Sequence, residues 1–199
     1  MTSKQNIDQQ VKADNLIVFI FFLHLLSLLG ASAVPEGRFL FWLPINLTVE
    51  VLIIVRLILL WKRYSKHEPR RYNSIQLYWM LTGLSFFMMM PFVKITFGTF
   101  AFLPMLTIAI LLFLFSHLWK ERIASVFVNP KKKGQLVKWP KALAVIIIIG
   151  IVIMTALRFT PAHPNDGLSV FLFLLGGFSI FIATPFSLSG ERIEELKQD

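Results

Sequence analysis

The chain has 199 residues, of which 56% are hydrophobic and only 16% are charged, and its mean hydropathy is +0.68. Soluble domains carry about 25% charged residues, so this composition argues against a soluble protein and predicts a membrane protein. The net charge of +9 comes from basic residues in short stretches between apolar runs, which argues against a nucleic-acid partner. Because the chain contains no cysteine, it has no disulfide, thiolate metal site or cysteine nucleophile.

Six apolar stretches are long enough to cross a bilayer, because about 20 residues rising ~1.5 Å each cover its ~30 Å hydrocarbon core. In chain order they are Leu16–Ala33, Phe39–Trp61, Ile75–Val93, Phe100–Leu118, Ala142–Leu157 and Gly167–Leu188. The first resembles a signal peptide, but the polar segment before it is long for one, so we expect a retained transmembrane helix. No polar stretch is large enough for a second folded unit, and residues 1–199 are expected to form a single transmembrane domain.

Basic residues predict the orientation of these helices. Twelve lysines and arginines lie in the loops 62–74 and 119–141, whereas the opposite loops hold three, Arg38, Lys94 and Arg158. Because basic residues favour the cytoplasmic side of a membrane, the two richer loops and both termini are expected in the cytoplasm. The predicted location is therefore the plasma (cytoplasmic) membrane, with a multi-pass topology and both termini cytoplasmic.

The connections on the opposite side are short, which makes successive helices antiparallel neighbours. The predicted fold is all-α: a polytopic membrane helical bundle of six transmembrane helices, packed as three antiparallel hairpins. In the last span, Gly176 and Gly177 favour close approach of a neighbouring backbone, as small residues do in membranes.

The cytoplasmic segments carry predictions of their own. The first of them is the short N-terminus 1–14. The loop 119–141 contains an amphipathic stretch from Trp119 to Phe127, which predicts a short helix lying in the headgroup plane and ending at Asn129-Pro130. The lysines that follow attract anionic lipid headgroups at about 1 kcal/mol per charge near the surface, although fixing the topology is the simpler explanation. These are Lys131, Lys132 and Lys133.

The C-terminal segment 189–199 is the acidic part of an otherwise basic cytoplasmic side. Ser189 is placed to cap a helix, and Glu191 lies in its first turn, where the helix dipole favours a negative charge. We expect a solvated tail, with docking on the basic loops or on a partner as the alternative.

Two ionisable side chains lie deep inside predicted spans, where a charged group costs at least ~2.5 kcal/mol unless it has a partner, a water-filled cavity or a function. His24 lies about nine residues, or ~14 Å, from the cytoplasmic end of the first span, and Glu50 lies about eleven residues, or ~16 Å, from that of the second. The two groups are therefore expected at similar depth on neighbouring helices. Asn46 precedes Glu50 by one turn and Ser27 follows His24 by nearly one, so the sequence predicts a polar cluster of these four residues.

This polar cluster has two interpretations. It could be a proton or cation relay, or a polar substrate site, inside the bundle. Alternatively, a buried hydrogen bond between His24 and Glu50 clamps the first two helices together. Arg56 lies about 240° around the helix from Glu50. We expect it to snorkel to the cytoplasmic interface, with a lipid phosphate or a partner's carboxylate as the alternative.

The sequence contains no phosphate-binding glycine loop, no H-E-x-x-H, no paired intramembrane aspartates and no G-x-S-x-G. No metal site or cofactor is therefore predicted, and an enzyme is disfavoured without being excluded. The predicted function is a small transporter, or the membrane subunit of a transporter, that uses His24 and Glu50. Two alternatives stay open: a non-catalytic accessory or scaffold subunit, with a membrane-protein partner or a second copy of this chain, and an intramembrane enzyme acting on a lipid-linked substrate.

Overall fold

The computed structural model describes residues 15–34, 36–129 and 165–198, and the regular structure in these ranges is helical throughout. Seven α-helices follow one another: α1 Ile17–Ala33, α2 Phe39–Tyr64, α3 Pro69–Ile95, α4 Phe102–Leu118, α5 Lys120–Val128, α6 Asp166–Ala183 and α7 Gly190–Gln198. A 3₁₀ turn, Thr184–Ser187, extends α6. The all-α class predicted from the sequence is confirmed for these residues.

Three of the helices are long and apolar enough to cross a membrane: α2, α3, and α6 together with its 3₁₀ turn. The helices α4 and α5 make a fourth if they are taken as one span bent by 53°. The helix α1 is apolar but shorter, with 17 residues. The predicted stretch Ala142–Leu157 lies outside the described residues, so the total of six spans stays a prediction.

The helix α3 lies at the centre of the bundle and contacts α1, α2, α4 and α6. It begins at Pro69, in the first turn, where the missing N–H removes no helical hydrogen bond. Near this end Arg71 donates to the carbonyl of Ser187 at 2.8 Å, and near the other end Phe92 packs against Phe173, with ring centroids 5.2 Å apart. The helices α3 and α6 are therefore antiparallel.

Other contacts of α3 fix the remaining directions. Tyr78 of α3 meets His117 near the end of α4, so these two helices are antiparallel. Lys94, in the last turn of α3, meets the carbonyl groups at the end of α1, so α1 and α3 are parallel. We call the end of the bundle that holds Lys94 the Lys94 end, and the opposite end, which holds Arg71, the Arg71 end.

The closest packing in the bundle is between α3 and α6. A Cβ atom at Gly176 would lie 2.7 Å from the Ser85 carbonyl oxygen and 2.8 Å from Cγ of Met89, so only glycine fits at this crossing. The predicted close approach at Gly176 is thus confirmed. The predicted set of three hairpins is not confirmed, because α3 packs more extensively against α6 than against α4, its successor in the chain.

A short helix follows α4 at a bend of 53°, as the amphipathic stretch from Trp119 to Phe127 predicted, and its position in the headgroup plane stays a prediction. The helix α5 has a buried face formed by Ile123, Ala124 and Val126, and it ends at Val128, immediately before Asn129. The lysines predicted to bind lipid headgroups, Lys131, Lys132 and Lys133, lie outside the described residues.

The acidic tail is docked on α5, which corrects the expectation of a solvated tail. Ser189 Oγ accepts a hydrogen bond from the Arg192 N–H at 3.3 Å, in agreement with its predicted role as a cap. Leu196 of α7 then packs against Ala124 of α5, and its carbonyl accepts a hydrogen bond from Nδ2 of Asn129 at 3.3 Å. The sequence did not predict this contact because the four acidic residues dominate the charge pattern of the tail, whereas its apolar side consists only of Ile193 and Leu196.

Candidate functional site

A buried histidine–carboxylate pair joins α1 and α2. His24 Nδ1 lies 2.7 Å from Oε2 of Glu50, as the similar depth of the two residues predicted. His24 has no exposed surface and Glu50 is 1% exposed. At this distance the contact is a hydrogen bond, in surroundings that water does not screen.

The helix α3 completes the pair. The second ring nitrogen of His24, Nε2, lies 2.9 Å from the carbonyl oxygen of Met80. The ring fits because residue 83 is glycine: a Cβ there would lie 2.3 Å from Cε1 of His24. Phe87, one turn further on, meets the imidazole edge to face, with centroids 5.7 Å apart. Three helices thus hold one imidazole.

These partners determine where the protons are. A carbonyl oxygen only accepts hydrogen bonds, so Nε2 of His24 carries a proton and donates it to Met80. One further proton then lies between Nδ1 and Glu50 Oε2, either as imidazolium with carboxylate or as neutral imidazole with carboxylic acid. The pair is electrically neutral overall in both forms. The other carboxyl oxygen of Glu50, Oε1, is buried and has no hydrogen-bond partner among the described residues.

A second polar layer lies closer to the Lys94 end. Nδ2 of Asn46 donates to Ser32 Oγ at 2.8 Å, and that hydroxyl donates to the carbonyl of Leu28 at 2.7 Å. Asn46, placed in the predicted cluster, is therefore buried between the same two helices, and no described hydrogen bond joins it to Glu50. Its partner is Ser32, which sequence reasoning did not select.

Lys94 closes this second layer. Its Nζ donates to three carbonyl groups at the C-terminus of α1, those of Ala31, Ser32 and Val34, at 2.8, 2.7 and 2.9 Å. These carbonyls have no partner within their own helix, and they carry the negative end of its dipole. The ammonium group, counted as a loop charge in the sequence, is buried at 6% exposure and caps α1. The capping role of Lys94 depends on the contact between α1 and α3, which are far apart in the sequence, so local patterns could not predict it.

Two predicted site residues lie elsewhere. Ser27 donates to the carbonyl of Leu23 in its own helix at 3.1 Å, so it does not belong to the cluster formed by His24 and Glu50. This is the usual outcome for serine in an apolar helix, where the backbone four residues earlier is the nearest acceptor. Arg56 is exposed on α2, away from the buried face that carries Glu50.

Apolar clusters separate the histidine–carboxylate pair from both ends of the bundle. Toward the Lys94 end, Leu28 and Phe87 pack together with Trp42. Toward the Arg71 end, Ile20, Ile53 and Leu57 form a second cluster. A cleft of about 220 Å³ opens at the Lys94 end, and its lining, which includes Trp42 and Lys94, does not include His24 or Glu50. The pair itself has almost no exposed surface, and toward the Lys94 end the polar layer of Asn46, Ser32 and Lys94 lies between it and the cleft.

A second histidine of the bundle is paired with a phenol. His117 Nδ1 lies 2.8 Å from the carbonyl of Phe113, which requires an N–H there, and Nε2 lies 2.8 Å from the hydroxyl of Tyr78. In the neutral ring Nε2 accepts a hydrogen bond from the Tyr78 hydroxyl, so His117 joins α4 to α3. Sequence reasoning missed this contact, because a histidine near a predicted helix end has the appearance of an interfacial residue.

Within residues 15–34, 36–129 and 165–198, no three His, Asp or Glu side chains come together to hold a metal ion. Comparisons with protein-family models, with curated proteins and with solved structures find no match to this chain. The chemistry open to the described site is that of one imidazole, one carboxyl group and the protons they share.

Proposed function

We propose that this chain is a small transport protein of the plasma membrane, or the membrane subunit of a transporter, in which His24 and Glu50 bind and release a proton. The observation that carries the proposal is the complete burial of an ionisable pair, 2.7 Å apart, between three apolar helices. Ionisable residues at such depth are rare and are concentrated in relays and substrate pathways.

The chemistry of the pair suits a single proton. Because the pair is neutral in its closed form, it is stable in an apolar environment, whereas adding or removing a proton leaves a net charge that needs water or a counter-ion. Proton exchange therefore requires that water reach Glu50 from one end of the bundle at a time. The apolar clusters on both sides of the pair are where such openings would form, and Oε1 of Glu50, which no described side chain hydrogen-bonds, would accept the incoming proton.

The direction of the described helices supports six spans. Both α4 and α6 run antiparallel to α3, so α4 ends at the Arg71 end whereas α6 begins at the Lys94 end. The chain between them has to change ends, and the apolar stretch Ala142–Leu157 is long enough to account for this crossing. In the proposed topology, the Arg71 end and both termini face the cytoplasm.

The direct test is proton flux into vesicles that contain the purified protein and a pH-sensitive dye, driven by a potassium diffusion potential. We expect Glu50→Gln to abolish the flux, because an amide cannot take up the proton. Glu68→Gln, which removes an exposed carboxylate before α3, is the matched control and should conduct like the wild type. Flux through a folded Glu50→Gln protein would refute the relay.

An accessory or scaffold subunit is the second candidate, and one observation favours it. Both ring nitrogens of His24 are hydrogen-bonded and the pair is closed to solvent, which is the geometry of a structural clamp between α1, α2 and α3. In that case Glu50→Gln would reduce the yield of folded protein rather than a flux. The wild-type chain would then co-purify with a membrane-protein partner.

A further inference from the structure

Arg56 is a cation on an otherwise apolar surface of α2. The buried face of this helix carries Glu50 and Leu57, whereas Arg56 is exposed, next to the exposed side chains of Val55 and Leu59. No hydrogen bond or ion pair reaches Arg56 from the described part of the chain. In the proposed membrane topology this surface faces lipid, which makes a lipid headgroup the natural partner for the guanidinium group.

The depth of Arg56 decides which partner can reach it. The residue lies eight positions before Tyr64, the last residue of α2, or ~12 Å along the helix axis. A long arginine side chain extends toward the nearer interface, which here is the end that holds Trp61 and Arg63. The phosphate groups of a lipid leaflet lie at that level.

Arg63 lies on the same side of α2, two turns beyond Arg56. Seven residues correspond to ~10.5 Å along the axis, and this gap narrows when the guanidinium of Arg56 extends toward the interface. The guanidinium of Arg63 lies over the ring of Tyr64, 5.2 Å from its centroid, which orients it beside the helix. Both arginines therefore lie on one side of α2, within reach of a single headgroup.

We propose that Arg56 and Arg63 bind the phosphate group of one anionic phospholipid. Arginine suits this role because its planar fork donates two parallel hydrogen bonds to a phosphate. A zwitterionic lipid offers the same phosphate but places an ammonium group beside the two arginines, so an anionic headgroup is preferred. The site requires the membrane location proposed above, but it is independent of proton transport by His24 and Glu50.

Lipid selectivity at two salt concentrations tests this site. The wild type and its variants are reconstituted in vesicles with spin-labelled phosphatidylglycerol or phosphatidylcholine, and electron spin resonance gives the relative association constant of each lipid. Measurements at low salt and at about 1 M salt, where the Debye length is ~3 Å, separate a specific contact from general surface attraction. Thermal unfolding followed by tryptophan fluorescence confirms that each variant is folded.

We expect Arg56→Gln to lower the preference for phosphatidylglycerol about tenfold at high salt, because the site loses one charged hydrogen-bonding group. Arg56→Lys should give an intermediate value, because it keeps the charge and loses the fork. The control is Lys62→Gln, which removes an exposed charge from a different side of α2 and should lower the preference only at low salt.

An unchanged preference in Arg56→Gln at high salt would overturn the lipid site. The same holds if Arg56→Gln leaves lipid selectivity intact but changes the mass of the purified assembly, because that result would assign Arg56 to a carboxylate of a protein partner. A loss in Lys62→Gln as large as in Arg56→Gln would also overturn it, since the effect would then be general surface charge.

Discussion

Two ion pairs in this molecule have the same length and opposite surroundings. His24 Nδ1 and Glu50 Oε2 are 2.7 Å apart, and so are Arg192 Nη2 and Glu121 Oε2. The first pair is 0–1% exposed, whereas the side chains of the second are 42% and 45% exposed. Removing one partner of the buried pair strands a polar group away from water, whereas either partner of the exposed pair returns to solvent. Burial, rather than distance, therefore sets the energetic weight of each pair.

The largest expected effect comes from breaking the buried pair. Glu50→Ala leaves Nδ1 of His24 without a partner and opens a cavity, so we expect the free energy of unfolding to fall by about 3–5 kcal/mol. The double variant His24→Leu with Glu50→Leu replaces the pair by apolar side chains of similar size and should recover most of this loss. Chemical unfolding in detergent, followed by tryptophan fluorescence, measures both. A double variant as unstable as Glu50→Ala would contradict the view that the stranded polar group causes the loss of stability.

The space around the imidazole gives the next largest effect. Gly83→Ala places a Cβ 2.3 Å from the His24 ring, so the ring must move and its two hydrogen bonds weaken. We expect a loss of about 1–3 kcal/mol, as for other overpacked cores. Gly30→Ala is the matched control, because a Cβ there meets nothing within 4 Å. It should stabilise α1 by up to about 1 kcal/mol, and equal losses in the two variants would contradict a specific effect at His24.

Lys94 provides a third test, in which a buried charge caps a helix. Lys94→Met removes the donor shared by three carbonyl groups of α1, and we expect a loss of about 1–3 kcal/mol together with fraying of the last turn. Hydrogen exchange measured by mass spectrometry should rise in residues 28–34 and not in the first turns of α1. Lys66→Met, at an exposed position, is the control and should leave exchange unchanged.

The exposed pair should give the smallest effect, and one that depends on pH. The hydrogen bond from Arg192 lowers the pKa of Glu121 below its usual value of 4.5. The contribution of this carboxylate to docking of α7 is therefore present at neutral pH and is lost as the pH falls below 4.5 through the lowered pKa. Limited proteolysis of the tail at pH 7 and at acidic pH measures the docking.

The control for this test is Glu121→Gln, in which docking of α7 should no longer weaken as the pH falls. The apolar contact of Leu196 with Ala124 should still hold α7 in both proteins near neutral pH. An unchanged acid response in Glu121→Gln would assign the effect to other groups.

Sequence reasoning placed His24 and Glu50 together because helical rise is constant, so that depth in a span can be counted in residues. It selected Ser27 instead of Ser32 because the rotation of α1 against α2 depends on packing that no count of residues contains. Lys94 and the docked tail were missed for a related reason. Both depend on contacts between segments far apart in the chain, whereas charge and hydropathy patterns report only local surroundings.

The crossing at Gly176 has a mechanical consequence. Because Gly176 brings the backbone of α6 close to the Ser85 carbonyl of α3, and Phe92 packs against Phe173 between the same helices, the two helices are expected to behave as one rigid frame. The helix α1 is joined to that frame at two levels, by the contacts of the His24 imidazole with Met80 and Phe87 and by Lys94, whereas no described hydrogen bond joins Glu50 to α3. A motion that brings water to Glu50 by moving α1 relative to α3 therefore has to break the contacts of both His24 and Lys94.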